Sequence, residues 1–513
     1  MRSLQLIGFL FVVSFITVSG QDGKIDPTFA VNGTFRLQNE LTDNYASSIS
    51  LFSDSSILVA RYLKSSNPVF LKLQKNGSLD TSFGVNGALS IHGKSVSNCV
   101  AAVQYGKQCV TAYSDTGGIT VQRWDDFGNP DTSFGTNGSW LIKRSGTGVD
   151  KVTILKIDQQ NRIILCIIST SDNRIYSTLF RLTHDGIPDQ RFGNKGKFLV
   201  QYPAMEVPMY GIDTDSHGNI VLTGSAKSGI YHNFLTYKLL QSGQLDPAFG
   251  NNGIAYYQHQ AISYARCVKF QSDGKILVGG LSHIQNPFQD RFTIIRYHPN
   301  GTLDSSFGTG GIVYTQFTED VDVINELLIQ PDGRIIAAGV AGSYHGGWNG
   351  YSDCALARYL PNGTLDSTFG KAGKTTYQLT SESNSITSAL LQGDNRVLAA
   401  GFANLNGKAQ FFVSAYSINK PVVIITSIDT GNTYDIGTFQ AIKWVHQGIS
   451  AIKLEISTSS GQSWMQIPGA ENIPAINQYF IWKIPNTPST KCLIRITDLD
   501  VPSNYSISPV FTI

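Results

Sequence analysis

An eleven-residue phrase that occurs seven times constrains the fold more than any other feature of the 513-residue sequence. The phrase reads Gly-x-x-Asp-x-x-Phe-Gly-x-x-Gly, and Ala30 replaces the second glycine in the first copy. The copies begin at Gly23, Gly77, Gly128, Gly186, Gly243, Gly301 and Gly363, so subtraction of neighbouring positions gives spacings of 54, 51, 58, 57, 58 and 62 residues. Regular self-similarity of this kind indicates a chain built from one repeated structural unit.

The residue types in the phrase are those of a tight turn. The aspartate can accept backbone N–H bonds, the glycines supply positive φ angles, and the phenylalanine can plug the adjoining core. The aspartates are Asp26, Asp80, Asp131, Asp189, Asp246, Asp304 and Asp366. The phenylalanines are Phe29, Phe83, Phe134, Phe192, Phe249, Phe307 and Phe369.

Between phrases, each repeat contains a second turn flanked by alternating apolar runs, as in FQSDGKILVGG around Asp273 and IQPDGRIIAAG around Asp332. With the run that leads into the phrase and the short run after it, each repeat has four predicted strands. Four-stranded antiparallel sheets repeated in this way are typical of β-propeller blades. We therefore predict an all-β chain with a seven-bladed β-propeller over residues 21–420. A β-solenoid is the alternative, disfavoured because its coils are shorter and more parallel.

The phrases RYLPNGTLDSTFG and QPDGRIIAAG, as they stand in this sequence, resemble the delta-60 repeat family of secreted proteins. The resemblance covers residues 23–420. It implies a propeller and an extracytoplasmic setting, and it implies no activity, because the family is largely uncharacterised.

The order of the runs predicts how the propeller closes. The run from Thr34 to Gln38 precedes the first complete repeat, and the last repeat ends without a following phrase. If the strand before each Asp-Gly turn is innermost, residues 34–38 must supply the outer strand of the seventh blade. Such a clasp removes two exposed sheet edges.

A basic residue stands five positions before six of the phrases: Lys72, Arg123, Arg181, Lys238, Arg296 and Arg358. These residues could form a cationic ring for an anionic ligand, or they could pair with the phrase aspartates. We favour pairing, because each lies on an alternating strand rather than in a loop.

The N-terminus has the pattern of a secretory signal peptide over residues 1–20. Arg2 precedes an apolar run from Leu6 to Val18, and Val18-Ser19-Gly20 places small residues at the −3 and −1 positions of a cleavage site after Gly20. A buried N-terminal helix is the alternative. No later run is long enough to span a bilayer, which takes roughly 20 apolar residues. We expect a secreted, extracellular protein without membrane insertion.

In a secreted protein, Asn-x-Ser/Thr sequons can be glycosylated and cysteines can form disulfides. Candidate glycosylation sites are Asn32, Asn76, Asn137, Asn300, Asn362 and Asn504, although turn chemistry alone can generate the five that lie in or beside phrases. The six cysteines show no regular spacing, so their pairing stays open, and at least one free thiol or an inter-domain bridge is expected.

From residue 421 the repeat stops. Seven short alternating runs over residues 421–513 predict a small β-sandwich of immunoglobulin or fibronectin type III character, with Trp444 in its core. Residues 457–464 resemble the Asp-box hairpin of sialidases, with Ser459 where that hairpin has aspartate.

Several partners and cofactors are disfavoured. The net charge is +2, which supplies no general attraction for nucleic acid. The segment 370–375 resembles a phosphate loop, but Thr368 occupies the position of its first glycine. The segment 213–218 resembles a calcium loop, but His217 replaces an oxygen ligand. We expect no metal and no cofactor.

The connections opposite the phrase turns vary most between repeats, and they include residues 281–290 and 340–353. Aromatic and polar side chains here could form a platform for a sugar or a peptide, or pack only against each other. The predicted binding residues are Tyr344, His345, Trp348, Tyr351 and Asp353, with His283 and Phe288 nearby.

Two functions remain open. The first is a monomeric, non-catalytic binding or adhesion protein that presents a propeller face to an extracellular carbohydrate or protein. The alternative is an extracellular carbohydrate-active hydrolase or lyase that uses acids such as Asp290 and Asp353. Paired carboxylates about 5 to 9.5 Å apart in an axial pocket would favour glycoside chemistry, and acids on the rim would favour binding.

Overall fold

The computed structural model describes residues 22–37, 43–63, 67–91, 98–144, 149–171, 174–202, 206–228, 231–258, 262–285, 288–342, 351–393, 396–418, 422–447, 449, 451–499 and 505–513. The chain divides into one compact unit over residues 22–419 and a second that contains residues 420–513. Apart from one 3-10 turn at Ala475–Asn477, the regular structure of these residues is β. Within this part of the chain, no helix has the length and apolar character needed to cross a bilayer.

The first unit is built from groups of four antiparallel strands, which we number as repeats one to seven. It begins with β1 (Thr34–Phe35). Repeats one to three consist of β2 (Asn44–Leu51), β3 (Ile57–Leu63), β4 (Val69–Leu73) and β5 (Ala88–Ser90); β6 (Asn98–Gln104), β7 (Gln108–Asp115), β8 (Gly118–Trp124) and β9 (Ser139–Lys143); and β10 (Val149–Ile157), β11 (Ile163–Ser171), β12 (Arg174–Leu182) and β13 (Lys197–Val200).

The later repeats follow the same order. They consist of β14 (Met209–Thr214), β15 (Ile220–Ser228), β16 (Tyr231–Leu239) and β17 (Ile254–Tyr257); β18 (Ser263–Phe270), β19 (Ile276–Gln285), β20 (Phe288–Tyr297) and β21 (Ile312–Thr315); β22 (Val321–Ile329), β23 (Ile335–Gly342), β24 (Ser352–Tyr359) and β25 (Lys374–Tyr377); and β26 (Asn384–Leu391), β27 (Arg396–Leu405) and β28 (Lys408–Ser417). A single parallel pair, Asp290 with Val321, joins repeats five and six into one eight-stranded sheet.

The predicted clasp is present. β1 pairs with β28, so the strand order of the last sheet is β1-β28-β27-β26. Thr34 lies opposite Ser414 and Phe35 opposite Val413. The buried Asp22 carboxylate receives two hydrogen bonds from Arg358, at 3.0 and 2.7 Å. A strand from the beginning of the first unit therefore completes the four-stranded sheet whose other three strands come from its end.

The basic residues before the phrases pair with the phrase aspartates, as favoured from the sequence. In repeat five, Arg296 Nε donates to Asp304 Oδ2 at 2.8 Å, and the guanidinium lies 4.4 Å from the centroid of the Phe307 ring. The other pairs are Lys72–Asp80, Arg123–Asp131, Arg181–Asp189, Lys238–Asp246 and Arg358–Asp366. In repeat seven the cation comes from a different strand, because Arg396 of β27 pairs with Asp26.

A ring of backbone hydrogen bonds links each phrase to the next one. The N–H of the residue that follows each phrase phenylalanine donates to a carbonyl in the neighbouring turn, at 2.7 to 3.2 Å. The pairs are Ala30 to Asn76, Gly84 to Phe127, Gly135 to Asp185, Gly193 to Ser242, Gly250 to Asn300, Gly308 to Asn362 and Gly370 to Asp22. The last pair closes the ring through the N-terminal segment.

The first glycine of a phrase is required for two reasons. Gly186 has a φ of +80°, which disfavours any residue with a Cβ. A Cβ at Gly186 would also lie 2.4 Å from Cζ of Phe134, the buried phenylalanine of the preceding phrase. Both the turn geometry and the packing between repeats therefore require glycine at position 186.

All six cysteines are free and buried. The expectation of at least one free thiol is met, and an inter-domain bridge through Cys492 is absent. Burial raises the pKa of the Cys99 and Cys166 thiols to about 12. Packing of the sheets therefore holds this fold together without a disulfide.

We predict that these thiols do not react in the native protein. At pH 8 an aromatic disulfide reagent should label none of the six within minutes, because the thiols are inaccessible and protonated. After denaturation in guanidinium chloride, all six should react. Absorbance of the released thiolate gives the count, and fewer than six in denaturant would reveal a disulfide.

The second unit has two sheets. Their strands are β29 (Val422–Ile425), β30 (Phe439–Gln447) and β34 (Tyr479–Lys483) in one, and β31 (Ala451–Ser457), β32 (Met465–Gln466), β33 (Ile473–Pro474), β35 (Leu493–Asp498) and β36 (Tyr505–Ile507) in the other. Side chains of both sheets form one core. Trp444 is buried in it and donates from Nε1 to the carbonyl of Ala475 at 2.9 Å.

The hairpin that resembles an Asp box uses a serine for the turn. Ser459 Oγ accepts the N–H of Ser463 at 3.1 Å, and Ser457 Oγ accepts the N–H of Gly461 at 2.8 Å. The substitution at Ser459 therefore preserves a capped turn, as expected of a structural motif.

Candidate functional site

One cavity of about 440 Å³ is lined by the first strand of every repeat, β2, β6, β10, β14, β18, β22 and β26. The lining residues run from the middle of each strand toward its carboxyl end, for example residues 153–157 of β10 and 266–269 of β18. The cavity therefore lies on the axis around which the repeats are arranged, in the half nearer the Asp-Gly turns.

Six of these seven strands contain a β-bulge, which leaves one residue outside the ladder. The bulged residues are Ser47, Thr153, Tyr210, Arg266, Asn325 and Thr387, and all line the cavity. Bulges turn side chains away from the regular alternation of a strand and are frequent beside functional sites.

Three of the bulged residues bond to the next strand around the axis. Ser47 Oγ donates to the carbonyl of Cys99 at 2.6 Å, Thr387 Oγ1 to that of Ala46 at 2.6 Å, and Asn325 Nδ2 to that of Ile386 at 2.7 Å. These small polar side chains join neighbouring strands. Tyr210 and Arg266 occupy the same position without such a bond among the described residues.

Charged residues of repeats three, five and six line the cavity, and repeat four places Asp213 directly after the lining residue Ile212. Lys156, Asp213 and Lys269 occupy the same position in three successive repeats, as their cross-strand partners Ile164, Val221 and Leu277 show. The other repeats carry Ser50, Ala102, Leu328 and Leu390 at this position.

The charges alternate in sign along the wall. Lys156 Nζ lies 2.9 Å from Asp213 Oδ1, and Lys269 Nζ lies 2.9 Å from Glu326 Oε1. Asp213 Oδ2 also accepts the backbone N–H of Phe270 at 2.9 Å. Each acid in this wall therefore already has a cation in contact.

Interactions with neighbouring charges keep Asp213 and Lys269 ionised. Burial alone would raise the pKa of Asp213, but Lys156 and Lys269 lower it below the ordinary value. Burial also opposes the charge on Lys269, but Glu326 and Asp213 raise the pKa of Lys269 above its ordinary value. Near neutral pH, Asp213 is an anion and Lys269 a cation.

Arg266 differs from the other charged residues of the wall. Its guanidinium lies 5.1 Å from the centroid of the Tyr210 ring, in cation–π geometry. Its Nε is buried without a hydrogen-bond partner, and no ion pair joins Arg266 to any residue that the structure describes. Arg266 is therefore a cation that the described part of the fold leaves without an anion.

The residues predicted from the variable connections are only partly described. His283 Nδ1 and Asp290 Oδ1 are 2.7 Å apart on β19 and β20, and burial raises the pKa of Asp290. Tyr351 is exposed, and Asp353 on β24 is half-buried, with its pKa raised by burial. Tyr344, His345, Trp348 and the side chain of Phe288 lie outside the described residues. The predicted platform stays a prediction.

The sequence interpretation overlooked the axial wall because it treated the first strands as small and apolar. One signal was present: a charged residue at the penultimate position of the first strand, in LKIDQQ, IDTDSHG and VKFQSDG. Aligned on the turns that follow, these segments place Lys156, Asp213 and Lys269 at one position of the repeat.

Five of the predicted glycosylation sites are exposed in turns: Asn32, Asn76, Asn137, Asn300 and Asn362. The Oδ1 atoms of Asn76, Asn300 and Asn362 each accept the N–H and the hydroxyl of the residue two positions later. Turn formation therefore explains these sequons, and their exposure leaves them open to modification. Asn504 lies outside the described residues.

The loop that resembles a calcium site is a turn. Asp215 Oδ1 accepts the N–H groups of His217 and Asn219, at 3.0 and 2.8 Å. Among all the residues that the structure describes, no group of three His, Cys, Asp or Glu side chains is placed to hold a metal ion.

Comparison with known proteins supports the propeller. The sequence profile of a family described as "Domain of unknown function (DUF5122) beta-propeller" matches residues 53–83, 271–307 and 330–369. Each match runs from an Asp-Gly-type turn to a phrase phenylalanine. The match supports β-propeller repeats in the first unit. No curated protein matches the chain.

Three solved structures give weak overall superpositions. A protein of unknown function from Dyadobacter fermentans is 12% identical with a TM-score of 0.37, covering 76% of this chain and 100% of that chain. Sqt1 from Chaetomium thermophilum, bound to the N-terminus of the ribosomal protein L10, is 11% identical with a TM-score of 0.34, covering 73% and 97%. Sqt1 alone is 11% identical with a TM-score of 0.37, covering 78% and 100%. Similarity at this level carries no functional information.

Proposed function

We propose that this chain is a secreted, non-catalytic binding protein that holds a small ligand in its axial cavity. The proposal takes the first unit as a seven-bladed propeller of delta-60 character and the second as a β-sandwich of immunoglobulin or fibronectin type III type. Seven phrases, seven first strands around one cavity and the clasp by β1 support the first point. Two sheets that share one core support the second.

The observation that carries the proposal is the asymmetry of the cavity wall. Repeats one, two and seven line the cavity with small and apolar residues, such as Ala102 and Leu390, so the fold does not require a charged residue here. Repeats three to five instead place Lys156, Asp213 and Lys269 at the position of Ala102 and Leu390, and repeat six contributes Glu326 two positions earlier on its strand. Burial of such charged groups costs free energy. Departures from local rules concentrate at functional sites. A volume of about 440 Å³ also lies in the range typical of small-molecule sites.

The same wall favours binding over catalysis. Glycoside hydrolysis needs one carboxyl that is protonated and one that is free to attack or to activate water. Asp213 and Glu326 are each in contact with a lysine, and the lowered pKa of Asp213 makes it a poor acid. Asp290 and Asp353 lie on later strands of their repeats and do not line the cavity. A hydrolase or lyase remains the alternative function.

The extracellular setting is part of the proposal. It rests on the signal-peptide pattern of residues 1–20 and on the exposed sequons. The platform around Tyr351 and Asp353 would then be a second surface, for a carbohydrate or protein ligand. We propose that the protein acts as a monomer.

A cavity-filling variant tests the function. We predict that Ala102→Phe weakens binding of any ligand found in a glycan and metabolite screen by tenfold or more, or about 1.4 kcal/mol. The new ring would occupy the cavity from a position that tolerates leucine in repeats six and seven. Isothermal titration calorimetry gives the affinity, and the melting temperature checks folding.

Trp348→Ala is the matched control in the variable connection and should leave this binding unchanged. Loss of binding in Trp348→Ala but not in Ala102→Phe would move the site to the platform. Turnover of a glycan by the native protein would support the alternative function instead.

A further inference from the structure

We propose that the axial cavity binds a small organic anion with a single carboxylate, and that Arg266 anchors that carboxylate. The proposal deepens the proposed function and rests on it. It names the chemical class of the ligand and the residue that selects it.

The balance of charge in the wall sets the sign of the ligand. The lining contains three cations, Lys156, Arg266 and Lys269, and one anion, Glu326. A second anion, Asp213, directly follows the lining residue Ile212 and contacts Lys156. The two lysines each contact one acid, at 2.9 Å. Subtracting two from three leaves one positive charge, and it belongs to the residue without an ion pair. A ligand with one negative charge would neutralise this remaining positive charge.

The chemistry of arginine sets the kind of anion. A guanidinium is planar and presents pairs of N–H donors whose spacing matches the two oxygens of a carboxylate. The buried Nε of Arg266 is a donor that the described residues leave unused. The Tyr210 ring beside it limits the directions in which the guanidinium can turn. A carboxylate that approaches from the cavity would meet a guanidinium whose orientation the Tyr210 ring restricts.

The acids of the wall disfavour other charged ligands. A dianion such as phosphate would bring its second charge close to Asp213 or Glu326, where it is repelled. A cationic ligand would have to displace a lysine from its acid. The remaining wall consists largely of small and apolar residues from repeats one, two and seven, which suits the uncharged part of an organic acid.

Two matched ligand pairs test the proposal. The mature chain is titrated calorimetrically at low ionic strength with benzoate and benzamide, and with glucuronate and glucose. Within each pair the neutral molecule lacks the carboxylate. At least one carboxylate should bind ten times more tightly than its neutral partner, and inorganic phosphate should bind more weakly than that carboxylate. Equal affinity within both pairs, or no binding of either carboxylate, would overturn the proposal.

Variants then assign the contact. Arg266→Met should reduce the affinity for the carboxylate to that of its neutral partner, and Arg266→Lys should cause a smaller loss because it keeps the charge without the planar donors. Arg191→Met, which removes an exposed arginine from a phrase turn, is the control and should change nothing. Unchanged binding in Arg266→Met would refute the anchor. If Arg266→Met does not fold, Arg266→Lys and the ligand pairs still decide the question.

These outcomes are separable from failure of the proposed function. A ligand whose binding is abolished by Ala102→Phe but is indifferent to its own charge and to Arg266 would leave an axial binding site without the carboxylate. Binding that Ala102→Phe does not affect would remove the axial site itself.

Discussion

Deleting residues 22–35 is expected to prevent the protein from folding stably. The deletion removes β1, the buried Phe29 and the two carboxylates Asp22 and Asp26. Arg358, which is fully buried, then loses its bidentate partner. Breaking a buried ion pair costs about 3–5 kcal/mol, and removing a buried phenylalanine costs about as much again. Together these losses rival the roughly 5–15 kcal/mol by which a native protein is stable.

Size-exclusion chromatography with light scattering and thermal denaturation will measure this effect. We expect aggregates, or a transition far below that of the full chain, because β28 loses the strand that pairs with its edge. A synthetic peptide of residues 22–37 should restore the transition when added to the truncated chain. The same peptide with Phe29→Ala should restore it much less. A truncated chain that melts like the full one would show that the clasp is dispensable.

Gly186→Ala is expected to destabilise the propeller by about 2–5 kcal/mol. A positive φ costs an alanine about 1–2 kcal/mol, and forcing a methyl group into a packed site adds about 1–3 kcal/mol. Both apply at Gly186, whose φ is +80° and whose added Cβ would lie 2.4 Å from the Phe134 ring. The midpoint of urea denaturation and its slope will give the change in unfolding free energy.

Gly310→Ala provides the matched control. Its φ is +63°, but a Cβ there has nothing within 4 Å. The seventh phrase already carries Ala372 at the equivalent position, with a φ of +52°. We expect a loss of at most about 1–2 kcal/mol, from the backbone alone. Equal losses in the two variants would mean that contact between repeats adds nothing to the need for glycine at Gly186.

The sequence predicted the parts of the fold that depend on local chemistry. Turn residues such as Asp304, which accepts the N–H of Ser306, act within their own repeat, so their roles could be inferred from the repeat alone. The clasp followed from the order of the strands. The pairing of Arg296 with Asp304 was also accessible, because the two residues lie in the same hairpin.

The axial site depends on geometry that the alternation of apolar and polar residues along a strand does not reveal. A bulge between Val152 and Ile154, or between Ala265 and Cys267, adds one residue and changes which later side chains face the cavity. The ion pairs of the wall join repeats 57 residues apart, as for Lys156 with Asp213. Neither the register shift nor contact across repeats could be derived from the period-two pattern of a single strand.

The ring of backbone hydrogen bonds has a consequence for how such a protein changes over evolution. Every junction uses the same donor and the same acceptor position, so the seven joints are chemically interchangeable. The chain ends of the first unit meet at one of them, where Arg358 contacts both Asp22 and the carbonyl of Ile418. A circularly permuted chain that began at another junction would make the same backbone hydrogen bonds, with its repeats in a rotated order. The backbone ring alone therefore does not determine where the first unit begins, whereas the charged residues beside the axial cavity distinguish repeats three to six from the others.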